Sequence, residues 1–353
     1  MGERVLTRAE LNRALLARQL LLDRKRPPVT RAVEQLGGLQ AQYTPSPYLS
    51  LLARVDAFER STLTVALERR RLVKALLMRG TLHIVTPRDY WGFATARRAL
   101  GTDYWPPSYE RRLPQRRIAE IAKATVGELR SGPRGFEEVR ALLEPYATSE
   151  ITPTFLWRRV QGQEHVVHAP PSGTWGYHGE GVYQAADAAI DGRPPTPVAA
   201  CEHLIRRYLG AFGPATVRDI AQWAGLQRVG PLSDALTELD LRTFVDDGGR
   251  TLYDLPRAPL PDPDTPPPPR LVPRYDNLVL SHDDRTRILG DVPIGRIVTK
   301  NALVHATILV DGFVAGTWQL ESGRVKMEPF TRLPKAVRVA LAEEVDRVEA
   351  FVA

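Results

Sequence analysis

Residues 216–255 read TVRDIAQWAGLQRVGPLSDALTELDLRTFVDDGGRTLYDL, and the order of signals in them decides the fold. Thr216 stands where a helix N-cap is needed, Asp219 sits in the capping-box position, and Gly225 supplies a left-handed stop. PLSDALTELD reads as a further helix. LRTFV and TLYDL then flank DDGG, a strong signal for a tight hairpin. A helix over PVAACEHLIRRYLGAFG comes directly before them. Three helices followed by a two-stranded hairpin is the plan of a winged helix, a helix-turn-helix variant.

The same order recurs twice upstream without obvious sequence identity. In the first copy helices are expected at 7–23, 30–36, 47–56 and 61–71, and strands LVKALLM and TLHIV turn at Arg79-Gly80. In the second, FEEVRALLEPY and TPTFLWRRVQ are helical, the latter opened by Thr152 with Pro153 at the first helical position. The strands EHVVHA and GVYQA follow around a glycine-rich tip. Nine of the 18 residues in 256–273 are proline, the composition of an extended, stiff linker. Beyond it NLVLSH, RIVTKN, HATILV, FVAGTW and RVKMEP read as short strands, with turns at Asp311-Gly312 and Ser322-Gly323. A final helix runs over KAVRVALAEEVDRVEAFV. The expected class is α+β, three tandem winged-helix modules with a small C-terminal β-barrel or curled sheet. The expected units are 1–110, 111–196 and 197–256, then a linker at 257–273 and the β-rich unit at 274–353.

Of the 48 basic residues only six are lysine, and the formal net charge is +7. That balance favours a polyanionic partner, and arginine suits bidentate phosphate contact. One cysteine, Cys201, excludes an internal disulfide framework and a cysteine-based zinc site, and fits a reducing, cytoplasmic compartment. The opening MGERVLTRAELNRALLARQLLL carries arginines through its apolar stretch, with a capping box at Thr7 and Glu10. It reads as an amphipathic surface helix and not as a signal peptide. No run reaches transmembrane length, so no membrane partner is expected. GxxxxGK[ST], GxSxG and HExxH are all missing. EHVVH at 164–168 is a poor metal site, because in a strand His165 and His168 face opposite sides. Two solvent-facing or capping histidines are the plainer reading there, and neither a metal nor another cofactor is expected.

GGLQAQYTPSP at 37–47 is the remaining feature. Gly37-Gly38 ends a helix, and Pro45 and Pro47 bias their surroundings toward extended geometry. In an extended stretch Leu39, Ala41 and Tyr43 face one side, while Gln40 and Gln42 face the other. Two amides would then project together from a fixed loop. Taken alone, the pattern fits a surface or capping role as well as a chemical one.

GGLQAQYTPSPYLSLLAR at 37–54, LMRGTLHIV at 77–85, YDNLVLSHDDRTRI at 275–288 and VDGFVAGTW at 310–318 together resemble the AlkZ/YcaQ-like bacterial DNA glycosylases of the winged-helix superfamily. The resemblance spans essentially the whole chain, with the segments in the same order. It implies a concave basic face for double-stranded DNA, a C-terminal barrel, and a catalytic Gln-apolar-Gln matched by Gln40-Ala41-Gln42. The implied activity is monofunctional hydrolysis of the N-glycosidic bond of cationic N7-alkylpurines, with unhooking of interstrand crosslinks in AlkZ-like members. A base tethered to both strands cannot swing into a tight pocket, so an open cleft is expected at Gln40 and Gln42. Arg79, His83, Arg285, Arg287, Arg324 and Lys326 are candidate DNA contacts, although Asp283 and Asp284 could instead pair the arginines beside them. The alternative is a winged-helix protein that binds DNA without chemistry, as a transcription regulator or a drug-sequestering resistance protein.

Overall fold

At Thr7 the hydroxyl accepts from Glu10 N at 3.3 Å and the Glu10 carboxylate accepts from Thr7 N at 2.8 Å, closing the expected capping box. The computed structural model describes residues 4–101, 107–226 and 229–353. Met1–Glu3, 102–106 and 227–228, which fall in the expected first and third units, lie outside them.

Strand β1 (Val5–Leu6) precedes α1 (Arg8–Arg18), α2 (Val29–Gln35), β2 (Leu39–Gln40), α3 (Pro45–Arg54), α4 (Arg60–Glu68), β3 (Val73–Leu76) and β4 (Leu82–Val85). The β3–β4 turn places Arg79 at φ 56° and Gly80 at φ 63°. The sheet runs β2-β4-β3, so the extended Leu39-Gln40 joins the expected hairpin as a third antiparallel strand.

Next come α5 (Pro87–Ala99), α6 (Pro107–Arg112), α7 (Gln115–Arg130), β5 (Arg134–Gly135), α8 (Phe136–Leu143), α9 (Pro153–Gln163), β6 (Val166–His168), β7 (Val182–Ala185) and α10 (Ala186–Ala189). Thr152 caps α9 by accepting from Phe155 N. The strands pair as β5-β7-β6, and α7, α8 and α9 close a core of their own around Ile121, Val139, Leu156 and Val160.

Then follow α11 (Pro197–Phe212), α12 (Val217–Ala224), α13 (Gly230–Thr237), β8 (Arg242–Asp246) and β9 (Thr251–Asp254). The Thr216/Asp219 capping box forms, and Gly225 stops α12 at φ 79°. Strand β1 adds to this hairpin in parallel, Val5 opposite Val245. Helix α11 packs on α5 and α1, and Phe93, Tyr208, Phe212 and Trp223 are buried together there, with Phe93 and Trp223 ring centroids 5.4 Å apart. Each such ring contributes about 1.5–3 kcal/mol by burial. One core thus joins the first and third helix–hairpin groups.

The C-terminal region differs most from expectation. Arg270–Val272, the end of the proline-rich stretch, is strand β10, with Leu271 and Val272 in the core. NLVLSH is not a strand: Asp276 caps a short helix, α14 (Asn277–Leu280), by accepting from Leu278 N at 2.9 Å. A second short helix, α15 (Thr286–Leu289), follows, and RIVTKN forms only a single bridge, Val298 to Val304. β11 (Ala306–Val310), β12 (Phe313–Glu321), β13 (Arg324–Pro329) and α16 (Lys335–Val352) complete the chain. The sheet order β10-β11-β12-β13 does not return on itself among the described residues, so the expected barrel is an open four-stranded sheet. Both expected turns form, with Asp311-Gly312 at φ 46° and 80° and Ser322-Gly323 at 48° and 78°. A Cβ on Gly312 would lie 2.4 Å from Asn12 Oδ1, so glycine lets this turn press onto α1. The class is α+β. Among the described residues no helix is long and apolar enough to cross a membrane.

Candidate active site

Gly37 (φ 70°) and Gly38 (φ 90°) turn the chain from α2 into β2. A Cβ on Gly38 would lie 2.8 Å from Val85 Cγ1, so the strand can approach β4 only because glycine is there. β2 then sets Gln40 opposite His83, and Ala41 N donates to Leu82 O at 2.7 Å. Leu39 and Ala41, on one side of the extended stretch, are buried. Tyr43 is not: it is 41% exposed, because the chain bends at Gln42-Tyr43 and Pro45 opens α3 instead of prolonging the strand.

The two glutamines stand in different environments. Gln40 is 6% exposed, and its Oε1 accepts from Arg79 Nη2 at 3.1 Å. Gln42 is exposed, and its Oε1 accepts from Leu82 N at 3.3 Å. Both side-chain oxygens are therefore turned to the β3–β4 turn. One is gripped by a cation and the other is held by a single long bond at the surface.

Arg79 organises this corner. Nη2 also donates to Asn277 Oδ1 at 2.7 Å, and Nη1 donates to Trp223 O at 2.9 Å. Trp223 lies in the last turn of α12, where carbonyls lack helical partners and a cation is favoured. A Cβ on Gly225 would come within 2.7 Å of Arg79 Cα, so the helix end can sit against the turn only without a side chain. Burial, reinforced by the Arg285 charge, lowers the Arg79 pKa to about 10, and the group stays charged at neutral pH. Asn277 Nδ2 in turn donates to Gly38 O at 3.2 Å. Its neighbour Asp276 is clamped by Arg54 through bonds of 2.8 and 2.9 Å and by Ser50 Oγ at 2.8 Å, all buried. This clamp fixes the start of α14 and with it the Asn277 amide.

Beside Gln40, Ser46, Arg274 and Asn277 line a crevice of about 10 Å³, roughly the room one water needs. Ser46 Oγ is buried there without a protein partner. The Arg274 guanidinium lies 5.5 Å from the Tyr43 ring centroid and 5.7 Å from that of Tyr275, and it has no ion-pair partner among the described residues. Tyr275 is held at φ 59°.

Several candidate DNA contacts lie elsewhere than expected. Arg79 is turned inward and occupied by three acceptors. His83 is fully buried; its Nδ1 donates to Thr81 O at 3.1 Å, and burial together with Arg79 presses its pKa down to about 3. It is a neutral strand histidine with no surface for a phosphate. Arg287 is also buried, donating to Pro214 O at 2.7 Å, so it braces the fold. Arg285 is half-buried, and Asp284 pairs with Arg250 at 2.6 Å. Arg324 is exposed and pairs with Glu349 at 2.5 Å, and Lys326 pairs with Glu321 at 3.5 Å. The structure brings Arg79 to Gln40, and Arg285 close enough to act on Arg79. His168 is buried against Tyr183 with Nδ1 bonded to Ser172 Oγ at 2.8 Å, and His165 packs on Trp91, so neither histidine of EHVVH is solvent-facing. Asn277 and Arg274 were missed by sequence reasoning, although Asn277 falls within YDNLVL, a segment that carries the resemblance.

A family model described as DNA glycosylase AlkZ-like matches residues 33–351. An interstrand DNA cross-link repair glycosylase of Streptomyces sahachiroi is 25% identical over 371 residues, covering 94% of this chain and 95% of that protein. The solved structure of Streptomyces sahachiroi DNA glycosylase AlkZ matches with a TM-score of 0.82 at 21% identity, over 98% of this chain and 97% of that one.

Proposed function

This chain belongs to the DNA glycosylase AlkZ-like family, and from that premise we propose that it hydrolyses the N-glycosidic bond of cationic N7-alkylpurines in duplex DNA, interstrand crosslinks included. The observation that carries the reading is the turn of both glutamine oxygens, Gln40 and Gln42, toward the Arg79–Leu82 segment, with Gln40 also lining a water-sized crevice.

Alkylation at N7 makes the base a cationic leaving group that needs no general acid. As the C1′–N9 bond breaks, the electron pair goes to the base and neutralises it, while C1′ gains oxocarbenium character. Gln42, exposed and held by one long bond, accepts a hydrogen bond from the attacking water and aims it at C1′. Gln40, fixed by Arg79, offers its second lone pair to the same water or to the developing cation. Water oxygen bonds to C1′, and the released proton passes to solvent, since an amide does not take it up. Arg79 carries a positive charge beside Gln40, so its part is orientation and not stabilisation of the cation.

A crevice of about 10 Å³ does not take in a purine, so in this reading the damaged base stays outside it. That suits a base tethered to both strands. Lyase chemistry needs an amine near C1′. Lys74 is buried with its pKa lowered to about 8, but it aligns with Ile84, next to the His83 that faces Gln40, and so projects from the other side of the sheet. We read the three helix–hairpin groups, with the boundaries expected from the sequence, as winged helices that present DNA to this corner.

Duplex DNA containing N7-methylguanine tests the reading. Base release by the wild type, lost in Gln40→Ala and Gln42→Ala while DNA binding persists, is the expected result. No release from any N7-alkylated substrate, with tight binding to one particular sequence, would instead mark a protein that binds DNA without chemistry.

A further inference from the structure

A second concavity borders the C-terminal ends of α1 and α2, which also border the crevice. Consecutive residues part at the ends of these helices: Arg18 and Gln35, the last of α1 and α2, reach a groove, while Gln19 and Leu36, just beyond them, line the crevice. The groove has a volume of about 910 Å³ and is bounded by α2, the start of α5, α11 and Leu255–Pro259. Arg31, Arg88, Arg206, Arg207 and Arg257 line it. Its carboxylates are Asp240 and Glu34, and Glu34 is already shared by Arg207 at 3.3 Å and Arg31 at 3.5 Å. Arg88, Arg206 and Arg257 are exposed and have no ion-pair partner among the described residues.

The floor is built, not incidental. Asp89 is fully buried, and its Oδ1 receives both His203 Nε2 at 2.8 Å and Arg207 Nε at 2.7 Å. Its Oδ2 is buried without a partner. Gly92 lies beneath His203, where a Cβ would come within 2.3 Å of the ring, so glycine makes the seat for the imidazole. A buried carboxylate thus fixes a histidine and an arginine at the base of a groove rimmed by unpaired guanidiniums. Clustered guanidiniums with their forks free match phosphate oxygens. Among the described residues no Phe, Tyr or Trp lines the groove, so it offers no stacking platform for bases.

We propose that this groove binds the phosphodiester backbone of DNA beyond the helical turn that lies over Gln40 and Gln42, as a sequence-independent second contact. Because the groove and the crevice share no lining residue, they are separate contacts, and a duplex of about one turn serves the crevice alone. A longer duplex reaches both, and the proposal rests on the reading that DNA is the substrate.

The test compares an undamaged duplex of about one helical turn with one of about three turns. Affinity is measured by anisotropy over a salt series for wild type and the Arg88→Glu/Arg206→Glu double variant. The expected result is a loss of about tenfold or more for the long duplex, with the salt slope shallower by about 2, and less than about a twofold change for the short one. Arg88→Gln/Arg206→Gln, at an unchanged thermal midpoint, shows the same pattern to a smaller degree and separates charge loss from misfolding. Equal effects on both lengths, or none on either, overturn the groove as a DNA contact. Release of N7-methylguanine from the short duplex stays at the wild-type rate, so a failure of the groove leaves the glycosylase reading standing. Failure of wild type to bind either duplex defeats both.

Discussion

Arg79 Nη2 sits 3.1 Å from Gln40 Oε1 and 2.7 Å from Asn277 Oδ1. A guanidinium only donates, so this contact decides which end of the Gln40 amide faces the turn. Three acceptors from three parts of the chain meet on one arginine in a left-handed turn. The consequence concerns rate. Lysine keeps the charge but not the planar fork, so Arg79→Lys leaves the Gln40 oxygen unfixed. Losing one charge-assisted hydrogen bond of about 1.5–3 kcal/mol predicts base release slowed by about 10- to 100-fold. Single-turnover release of N7-methylguanine at saturating enzyme reads this directly, and a wild-type rate would show that Arg79 does not position Gln40.

The contrast between Gln40 and Gln42 gives a second expectation. Gln40 is buried, and removing its carbonyl leaves a desolvated guanidinium short of an acceptor, at a cost of about 1–3 kcal/mol in stability. Gln42 is exposed with one weak bond, and its loss costs within about 0.5 kcal/mol. Gln40→Ala should therefore lower the thermal midpoint and Gln42→Ala should not, while both abolish release. Equal midpoints would remove the structural distinction between the two amides.

Arg274 provides a third. Its guanidinium lies between Tyr43 and Tyr275 beside the crevice, with no carboxylate pair among the described residues. A cationic lesion repels it, so its natural partner is a flanking phosphate. Arg274→Ala should weaken DNA binding and reduce the salt slope by about 1, with the rate at saturation changed far less than KM. A loss confined to the saturated rate would place Arg274 in the chemistry instead.

What the sequence disclosed and what it hid divide by range. The Thr7/Glu10 and Thr216/Asp219 capping boxes, the Gly225 stop and the turns at Asp311-Gly312 and Ser322-Gly323 depend on residues within a few positions of one another, and all formed as expected. NLVLSH was misread because a short apolar run suits helix or strand alike, and Asp276 decided for helix. The strand at Arg270–Val272 was hidden by its prolines, since its pairing partner lies at Thr307–Leu309. At the site, the extended path through Leu39-Gln40 was legible from Gly37-Gly38, whereas Arg79 and Asn277, 198 residues apart, meet only through tertiary packing. Burial undid the reading of His83 and Arg287 as surface contacts, because neither charge nor residue type reveals which side of a sheet or helix a group takes.

The Arg54–Asp276 pair yields a fourth prediction. Both groups are buried, with Ser50 completing the clamp. Breaking such a pair strands an uncompensated charge, and Asp276→Asn should cost about 3–5 kcal/mol, visible as a shift in the denaturant midpoint. It should also slow base release in whatever fraction remains folded, because Asn277 loses its anchored helix start. Arg54→Met/Asp276→Leu, which removes both charges, should recover much of the stability but not the rate. Full recovery of both would show that the clamp serves folding alone.

Acid sensitivity provides the last. Burial lowers the His83 and His165 pKa values to about 3, and His168 and His282 are displaced in the same direction by burial. A histidine whose folded value lies below its unfolded value near 6.5 takes up its proton only on unfolding. Its contribution is whole above about pH 6.5 and is lost as the pH falls from there toward 3. Each such group tends to a slope of about 1.4 kcal/mol per pH unit within that window. The shifted carboxylates do not share it: Asp284 is held at about 2, and Asp219 and Glu10 are lowered too, so they stay ionised down to about pH 4.5. The thermal midpoint should therefore drop steeply between pH 6.5 and 4.5. His83→Gln should start lower at pH 7.5 yet fall less steeply, because one of the protons taken up on unfolding is gone. A midpoint flat across that interval would mean that these rings are charged, or reach solvent, in the folded protein.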